Sequence, residues 1–415
     1  MRIIKENHNG ISTLLAFALI PLSGFATDVY IPSLPAMASH LNVPGTAVQL
    51  TLVIFMISSG LSQLFVGSLL DSFGRFWLNI GALIVFAAAS FVIASSGNIY
   101  VIYLMRAIHG IAVATIVVSK RAYFIDIYSG EKLKHYVSLF SIIWASAPIV
   151  APFIGGFLQA AFGWESNFYF LGIFTLVILV FDLIFGGESL KNFQKFEFRS
   201  IAKVYVSMIR SIDYTSGLFI LGLSYSMLMV YGMTSPFIIE HVYHYSAIVT
   251  GNMALASGVA LMIGGMISKS LISKPLIPKV TVAIVLQVFL SVLMIALSPY
   301  VNSIYGMMPF VIVIHLLSGF VFNNIFSYCL GRFSKNAGIA SGVTGGSMYI
   351  ITSFFSSGII KVIPIKSQQM LGFGYFVLAV LVGVVFILFV QSKKAIMRKE
   401  SKVLEGNEGI AEVLS

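Results

Sequence analysis

Three ionisable side chains in the middle of long apolar runs could bind, release or steer a proton. Asp28 lies in the first apolar run, and Arg106 and His109 lie together in the fourth. Arginine stays protonated, histidine titrates near neutrality, and a spacing of three residues places Arg106 and His109 on one helix face. Acids inside a membrane are costly and are functional by default. We therefore predict that Asp28, Arg106 and His109 form a proton-coupling site, in which Arg106 tunes the carboxylate.

Each of these residues also has an ordinary structural interpretation. Asp28 could lie near the outer mouth of its helix, where solvation is cheap, and Arg106 could bond backbone carbonyls. His109 could be a hydrogen-bonded packing histidine, and for this residue we favour neither the functional nor the structural interpretation. For Asp28 and Arg106 we favour the proton site, because charged side chains are rare within membrane spans and mark functional positions.

The composition indicates which elements must hold these side chains. Of 415 residues, 58% are hydrophobic and 10% are charged, against roughly 25% charged residues in a soluble domain. The mean hydropathy is +0.96. A helix that crosses a bilayer needs about 20 apolar residues, so twelve such helices would use nearly all of the apolar content. This composition excludes a soluble enzyme, a disordered protein and a nucleic-acid-binding domain, and it indicates an integral membrane protein.

Apolar windows long enough to cross a bilayer occur twelve times, six before a polar segment and six after it. The windows are 11–33, 47–70, 76–96, 100–119, 136–161, 166–186, 214–239, 247–268, 280–298, 304–330, 337–360 and 370–391. We predict an all-α integral membrane fold, with twelve transmembrane helices in two pseudo-symmetric six-helix bundles. The predicted units are an N-terminal bundle at 1–187, a cytoplasmic central loop at 188–213, a C-terminal bundle at 214–391 and a cytoplasmic tail at 392–415.

The basic residues are distributed unevenly between the two sides of the predicted helices. With the N-terminus in the cytoplasm, 22 of the 25 Lys and Arg residues fall on the inside, and only Lys361 and Lys366 fall on the outside. Basic loops resist translocation, so the net charge of +10 is a topology signal and does not indicate a nucleic-acid partner. We predict a multi-pass protein of the bacterial inner (cytoplasmic) membrane with both termini in the cytoplasm.

The central loop has a pattern of its own, because residues 191–210 interleave basic and apolar side chains. Such a pattern is typical of an amphipathic helix that lies along a membrane surface. A linker helix and a specific lipid site are both open interpretations. The weakness of such patterns as lipid signals favours the linker helix.

A short loop after the second window contains Gly67, Asp71, Gly74 and Arg75. Gly67 permits close helix approach, and Gly74 suits a turn. Asp71 and Arg75 can form charge-assisted bonds between neighbouring helix ends. We predict that this motif braces one conformational state of the protein, with an ordinary solvated turn as the alternative.

The fifth window contains Pro148, Pro152, Gly155 and Gly156. Two prolines four residues apart remove helix hydrogen bonds and kink the helix, while the glycines allow close packing. We predict that this segment is a kinked helix with a close neighbour.

A faint internal repeat links the two halves of the chain. Arg106 precedes Gly110 by four residues in the fourth window, and His315 precedes Gly319 by four residues in the tenth. Two related bundles around a midplane site are typical of transporters that work by alternating access. One match of this kind can also arise by chance.

These motifs together resemble the major facilitator superfamily, and specifically its twelve-span drug:proton antiporter branch of the bicyclomycin- and chloramphenicol-resistance type. Residues 27–35 are similar to the first-span signature of that branch, and residues 67–75 to the loop motif of the superfamily. Residues 106–110 resemble the fourth-span motif, and residues 148–156 resemble the antiporter motif. The resemblance covers the N-terminal half, whereas the C-terminal half matches in hydropathy and little else.

Several positions depart from the family pattern. Ser72 and Phe76 stand where the loop motif has basic residues, and His109 stands where the fourth-span motif has glutamine. Ile20 is apolar where some relatives carry a second acid, and Glu165 stands where the family often has arginine. These departures concern the implied drug specificity and proton stoichiometry, and they do not change the implied fold.

The resemblance implies proton-driven export of a small lipophilic compound, with no enzymatic activity, no metal and no cofactor, the proton gradient being the energy source. The expected partners are the small-molecule substrate, protons and membrane lipids, and the expected state is a monomer. The implied substrate cavity lies between the first, fourth, seventh and tenth spans. Its expected lining residues are Tyr30, Tyr225, Tyr231, His315, Asn323 and Asn324.

Two other functions stay open. A narrow-specificity transporter of one metabolite or siderophore is favoured by the missing second acid and by the altered loop motif. A non-transporting membrane sensor on the same scaffold would be expected to lose the proton site, whereas Asp28 is present. The sequence has no P-loop for nucleotide, so ATP is not the expected energy source.

Overall fold

A computed structural model describes residues 4, 8–193, 198–333 and 337–413, and within these ranges every regular element is a helix. The helices are α1 (Asn9–Leu19), α2 (Leu22–Asp28), α3 (Leu34–His40), α4 (Gly45–Phe73), α5 (Phe76–Ala94), α6 (Ile99–Ile127), α7 (Gly130–Phe162), α8 (Glu165–Phe185), α9 (Phe198–Ile209), α10 (Ile212–Phe237), α11 (Ala247–Ser270), α12 (Leu276–Leu297), α13 (Ile304–Arg332), α14 (Ala337–Val362) and α15 (Gln368–Val413). A 3₁₀ turn at Ile31–Ser33 separates α2 from α3, and a π-helical turn at Ile238–Val242 follows α10.

These helices account for the twelve predicted windows. In the described residues, eleven spans are long and apolar enough to cross a membrane, and the first of them combines α1, α2 and α3 over Asn9–His40. The remaining window corresponds to α7, whose apolar part runs over Ser146–Phe162. The predicted all-α membrane fold is confirmed, and the helix predicted in the central loop is present as α9.

The first span is interrupted at two prolines. Pro21 lies between α1 and α2, and Pro32 lies in the 3₁₀ turn between α2 and α3. Proline lacks the backbone N–H that continues an α-helix, so the hydrogen-bond ladder is broken at both places. Asp28 is the last residue of α2, immediately before the second break. Interrupted helices of this kind are typical of midplane binding sites in membranes.

Successive spans run in alternate directions, so their connections fall on two faces. One face holds α9 and the loops that join α4 to α5, α6 to α7, and α11 to α12. Most of the basic residues lie here, and we call it the basic face. The loops that join α3 to α4, α5 to α6, and α7 to α8 lie on the opposite face. Gly74 and Gly163, which end α4 and α7, have φ angles of +91° and +85°, a conformation that glycine adopts without strain.

The two halves of the chain, α1–α8 and α10–α15, meet along two pairs of helices with very close backbones. Where α4 packs against α14, a Cβ added at Gly60 would lie 2.7 Å from the carbonyl oxygen of Gly346. Where α7 packs against α11, a Cβ added at Gly156 would lie 2.6 Å from the carbonyl oxygen of Ala247. Side chains larger than hydrogen would hold these backbones apart, so the glycines determine how closely the halves approach.

Candidate functional site

Asp28 lies at the place where the two halves meet. Its side chain is buried, with 2% of the residue exposed. Arg106 of α6 faces it from the same half, and Tyr225 of α10 and Tyr349 of α14 lie within electrostatic range of it from the other half. Among the described residues, its Oδ2 atom has no hydrogen-bond partner. A buried carboxylate oxygen without a partner is unfavourable when ionised, so this site can respond to a change in its surroundings.

Arg106 is fully buried and is held by backbone carbonyls. Its Nη1 atom donates to the carbonyl oxygen of Ala26 at 2.9 Å, and its Nε atom donates to that of Thr51 at 3.4 Å. The guanidinium carbon lies 4.2 Å from the ring centre of Phe55 and 4.8 Å from that of Tyr30, within the range of cation–π attraction. The carbonyl bonds that the structural interpretation requires are therefore present.

The remaining guanidinium nitrogen of Arg106 allows a second role. Within the described part of the chain, Nη2 has no hydrogen-bond partner. The guanidinium also interacts electrostatically with Asp28. The bonds to Ala26 and Thr51 thus fix the position of the positive charge and leave one nitrogen for a ligand or a carboxylate.

His109 is fully buried, and both of its ring nitrogens have partners. Nε2 lies 3.1 Å from the carbonyl oxygen of Phe86 and 2.9 Å from Oγ of Ser90. Because a carbonyl only accepts, Nε2 carries the proton, and Nδ1 accepts from Nη1 of Arg106 at 3.4 Å. The ring also stacks on Phe86 with a centroid distance of 4.2 Å. This neutral, satisfied imidazole favours the packing interpretation, in which His109 positions Arg106.

Tyr30 lies behind Arg106 and is fully buried. Its hydroxyl hydrogen-bonds Oγ1 of Thr51 at 2.7 Å, and Thr51 in turn donates to the carbonyl oxygen of Val48. Its ring packs against Phe168 of α8 at a centroid distance of 5.0 Å. Tyr30, which the sequence analysis placed in the substrate cavity, therefore packs against Arg106 and helps to hold it in position in this conformation.

The loop motif forms an ionic network at the basic face. Nη2 of Arg75 lies 3.0 Å from Oδ1 of Asp71, as the spacing predicted, and Nη1 of Arg75 pairs with Asp126 at the end of α6. Asp126 also accepts a bond from the Ser189 hydroxyl at 2.7 Å. A Cβ at Gly67 would meet no atom of the described residues within 4 Å, so close helix approach does not explain Gly67 in this conformation.

Several acids of this region were missed by the sequence argument. The Glu188 carboxylate accepts the backbone N–H groups of Arg75 at 2.9 Å and of Phe76 at 3.1 Å. Lys120 pairs with buried Asp182 at 2.5 Å, and the Asn79 amide donates to the same oxygen at 2.8 Å. Asp182 lies within the sixth predicted window, so the rule that selected Asp28 could also have found it. Glu188 lies in a loop and carried no comparable signal.

The proline–glycine motif of α7 joins the first span to the other half of the protein. Pro148 and Pro152 both lie inside the helix. A Cβ at Gly155 would overlap the carbonyl oxygen of Val29, at 1.6 Å, whereas Gly156 faces Ala247 of α11. The two glycines therefore pack on different neighbours, and one of those neighbours is the residue after Asp28.

The residues predicted to line the cavity from the C-terminal half do not lie together. Tyr225 lies within electrostatic range of Asp28, as described above. The imidazole of His315 bonds Ser257 of α11 through Nδ1 at 2.6 Å and Tyr375 of α15 through Nε2 at 3.0 Å. Tyr231 packs against His315, and its hydroxyl donates to the sulfur of Met308. Tyr231 and His315 thus form a polar cluster inside the C-terminal half, away from the contacts made by Asp28.

The two asparagines of α13 bind backbone groups. The Asn323 amide donates to the carbonyl oxygen of Gly265 at 3.1 Å and to Oγ of Ser268 at 3.2 Å, which ties α13 to α11. The Asn324 amide donates to the carbonyl oxygen of Phe320 at 2.9 Å. Tyr349 of α14, which the sequence did not select, lies within electrostatic range of Asp28.

The site, the interrupted first span and the two bundles can be compared with known proteins. Residues 16–357, most of the chain, match the family description Major Facilitator Superfamily. The chain belongs to this superfamily. It is a multi-pass membrane transporter and not an enzyme, as the motifs predicted, and its partners accordingly include a small-molecule substrate and membrane lipids.

Individual relatives within the major facilitator superfamily support this assignment. The chain is 27% identical over 342 residues to YdgK of Bacillus subtilis, named an uncharacterized MFS-type transporter, in a match that covers 79% of this chain and 83% of that protein. It is 24% identical over 353 residues to the bicyclomycin resistance protein homolog of Haemophilus influenzae, covering 84% of this chain and 87% of that one. The latter name belongs to the branch that the motifs resemble.

A solved structure of a bacterial homolog of the human lysosomal transporter Spinster has the same fold. Its TM-score is 0.70 at 12% sequence identity, and the match covers 95% of this chain and 98% of that chain. This likeness confirms the major facilitator fold alone.

Proposed function

We propose that the protein is a proton-coupled exporter of a small lipophilic, drug-like compound. The observation that carries the proposal is Asp28, a buried carboxylate with one oxygen that has no hydrogen-bond partner among the described residues. It lies within electrostatic range of Arg106 in one half and of Tyr225 and Tyr349 in the other. The drug-resistance names of relatives support the substrate class. In this proposal the basic face and both termini lie in the cytoplasm of a bacterial cell, because basic loops resist translocation.

Alternating access would couple the proton to the substrate through the contacts of Asp28. An ionised carboxylate without partners is costly in an apolar site, so Asp28 would hold its proton while Tyr225 and Tyr349 cover it. Separation of the two halves would admit water beside Asp28, and this water, together with the fixed charge of Arg106 in the same half, would favour the ionised form. Proton binding and release would then follow the conformational change.

The proposed energy source is the proton gradient, with no cofactor. Entry of one proton in exchange for a neutral molecule would gain about 2.3 kcal/mol per 100 mV of membrane potential. One chain contains both halves and the whole Asp28 site, so a monomer would suffice. Ile20, where some relatives carry a second acid, is fully buried in an apolar cluster with Ala16, Tyr123 and Phe124, which supports a single proton site in the first span.

A narrow-specificity metabolite exporter is the second candidate, because the altered loop positions Ser72 and Phe76 depart from the drug-exporter pattern. Accumulation of a panel of compounds in everted vesicles, with and without a protonophore, tests both candidates. The proposal predicts accumulation of several lipophilic compounds that the protonophore abolishes. Accumulation of only one metabolite would favour the second candidate, and accumulation that survives the protonophore would overturn proton coupling.

A further inference from the structure

The linker helix α9 contacts both halves of the transporter at the basic face. It packs against α10 and α14 of the C-terminal half, and Met208 on its inner side is fully buried. The hydroxyl of Tyr205 bonds the backbone carbonyl oxygen of Leu64 in α4, which belongs to the N-terminal half. Burial raises the pKa of the Tyr205 phenol above its ordinary value, so the hydroxyl keeps its proton and donates. A displacement of α9 would therefore be transmitted to the contact between α4 and α14.

The outer side of α9 carries two cations beside exposed apolar side chains. Lys203 and Ser207 lie on α9 at a spacing of four, and Arg210 follows three residues later, one residue beyond the end of the helix. Because the Arg210 N–H still bonds the carbonyl oxygen of Val206 at 3.0 Å, the three residues lie in one stripe. Val206 and Ile209 beside this stripe are 47% and 58% exposed. In the part of the chain that the structure describes, neither Lys203 nor Arg210 is joined to an acid.

A shallow groove of about 420 Å³, open to solvent, runs along this stripe. Its lining residues are Ala202, Lys203, Val206, Ser207 and Arg210. The groove thus combines two positive ends with an apolar floor, and an anion with attached hydrocarbon has the complementary chemistry. A water-soluble anion would satisfy the two cations and leave Val206 and Ile209 exposed to water.

We propose that this groove binds the headgroup phosphate of an anionic phospholipid between Lys203 and Arg210, with the acyl chains against Val206 and Ile209. The basic side of a membrane protein faces the leaflet in which anionic lipids attract basic helices. Because α9 also holds Leu64 through Tyr205, the bound lipid stabilises the position of α9 across the two halves. This regulatory consequence rests on the proposed transport function, whereas lipid binding itself does not.

Lipid retention by the purified full-length protein in detergent tests the site directly. The probes are phosphatidylglycerol, phosphatidylethanolamine and inorganic phosphate. Native mass spectrometry measures how much of each probe stays bound to the protein. The variant K203Q/R210Q removes both cations, and K269Q/K274Q removes two exposed lysines from the same face and serves as the matched control. Each basic residue near a membrane surface strengthens anionic lipid binding about fivefold, so we expect roughly 30-fold weaker phosphatidylglycerol retention in K203Q/R210Q and little change in the control.

Three results would overturn the proposal. Equal phosphatidylglycerol retention in both double variants would exclude Lys203 and Arg210 as the lipid ligands. Displacement of phosphatidylglycerol by inorganic phosphate at equal concentration would identify a free-phosphate site. Equal retention of phosphatidylethanolamine, which is zwitterionic, would show that the groove does not select an anionic headgroup.

Transport in proteoliposomes with and without phosphatidylglycerol tests the regulatory consequence separately. Wild type and the K269Q/K274Q control should respond to the lipid, and K203Q/R210Q should not. An equal response in K203Q/R210Q would overturn the regulatory role while leaving the binding result intact. Failure of transport in every protein would count against the proposed function and not against the lipid site.

Discussion

Gly110 and Gly319 occupy equivalent positions in the two halves of the transporter. A Cβ at Gly110 would lie 2.5 Å from the carbonyl oxygen of Phe55 in α4, and a Cβ at Gly319 would lie 2.0 Å from that of Leu261 in α11. Four residues before each glycine, Arg106 bonds Thr51 and His315 bonds Ser257. The faint sequence repeat therefore packs in the same way in both halves. Only the half that holds Asp28 has a permanently charged side chain, Arg106, four residues before the repeated glycine.

Substitution of either glycine should destabilise its own half. In Gly110→Ala and Gly319→Ala the new methyl group meets backbone atoms, and overpacking of this kind costs about 1–3 kcal/mol. We expect lower thermal unfolding temperatures for both variants in detergent. Gly67→Ala is the matched control, because its methyl group would meet no described atom within 4 Å. Unfolding temperatures equal to that of the control would contradict the close packing.

Gly156→Ala should impair transport more than folding, because this glycine lies between the halves. Its added Cβ would lie 2.6 Å from the carbonyl oxygen of Ala247 and would hold α7 away from α11. We expect reduced transport at normal membrane abundance. Gly358→Ala in α14 is the control, since its methyl group would meet no described atom within 4 Å. Normal transport by Gly156→Ala would show that this contact is not needed in the transport cycle.

The two acids that bind Arg75 should differ in their contributions. The Asp71 side chain is 42% exposed, and the Asp126 side chain is 13% exposed. Breaking an exposed pair costs about 0.2–1 kcal/mol, and removal of one partner costs more as the pair becomes more buried. We expect Asp71→Asn to reduce transport at unchanged abundance, and Asp126→Asn to lower the unfolding temperature as well. Unchanged transport in Asp71→Asn would leave only the solvated-turn interpretation of the motif.

Topology can be measured with single cysteines in a Cys329→Ser background. Lys361 and Asn98 lie on the opposite face, and Lys274 lies on the basic face; all three are exposed. We expect a membrane-impermeant thiol reagent to label cysteines at Lys361 and Asn98 in intact cells, and to label a cysteine at Lys274 only in everted vesicles. Labelling at Lys361 from the cytoplasmic side would contradict the proposed orientation.

The sequence predicts the helices of this protein better than it predicts their contacts. Apolar windows mark each span because that signal is local. Pro21 and Pro32 are local signals for the interruptions around Asp28, although the predicted window 11–33 treats this span as continuous. Tyr349 comes within electrostatic range of Asp28 through the packing of α14 against α4, which no local pattern shows. The same holds for Glu188, whose bonds to the backbone at Arg75 join positions 113 residues apart in the chain.

The roles of His109 and His315 could not be predicted from the sequence. A histidine in a membrane span looks the same in the sequence whether its side chain transfers protons or only packs against its neighbours. For His109 only the partners decide, and both of its nitrogens are bonded, to Phe86, Ser90 and Arg106. His315 is likewise bonded at both nitrogens. Their hydrogen bonds therefore favour positioning roles, and Asp28 remains the proton site that we propose.

The central claim is that Asp28 couples the proton gradient to transport, and Asp28→Asn tests it most directly. The asparagine has the same shape and cannot ionise, so the variant should fold. In proteoliposomes we expect Asp28→Asn to exchange labelled for unlabelled substrate without a gradient, and to lose all uptake driven by a pH gradient. Asp28→Glu, which keeps the ionisable group, should retain part of the driven uptake. Full gradient-driven uptake by Asp28→Asn would contradict the account and would point to His109 instead.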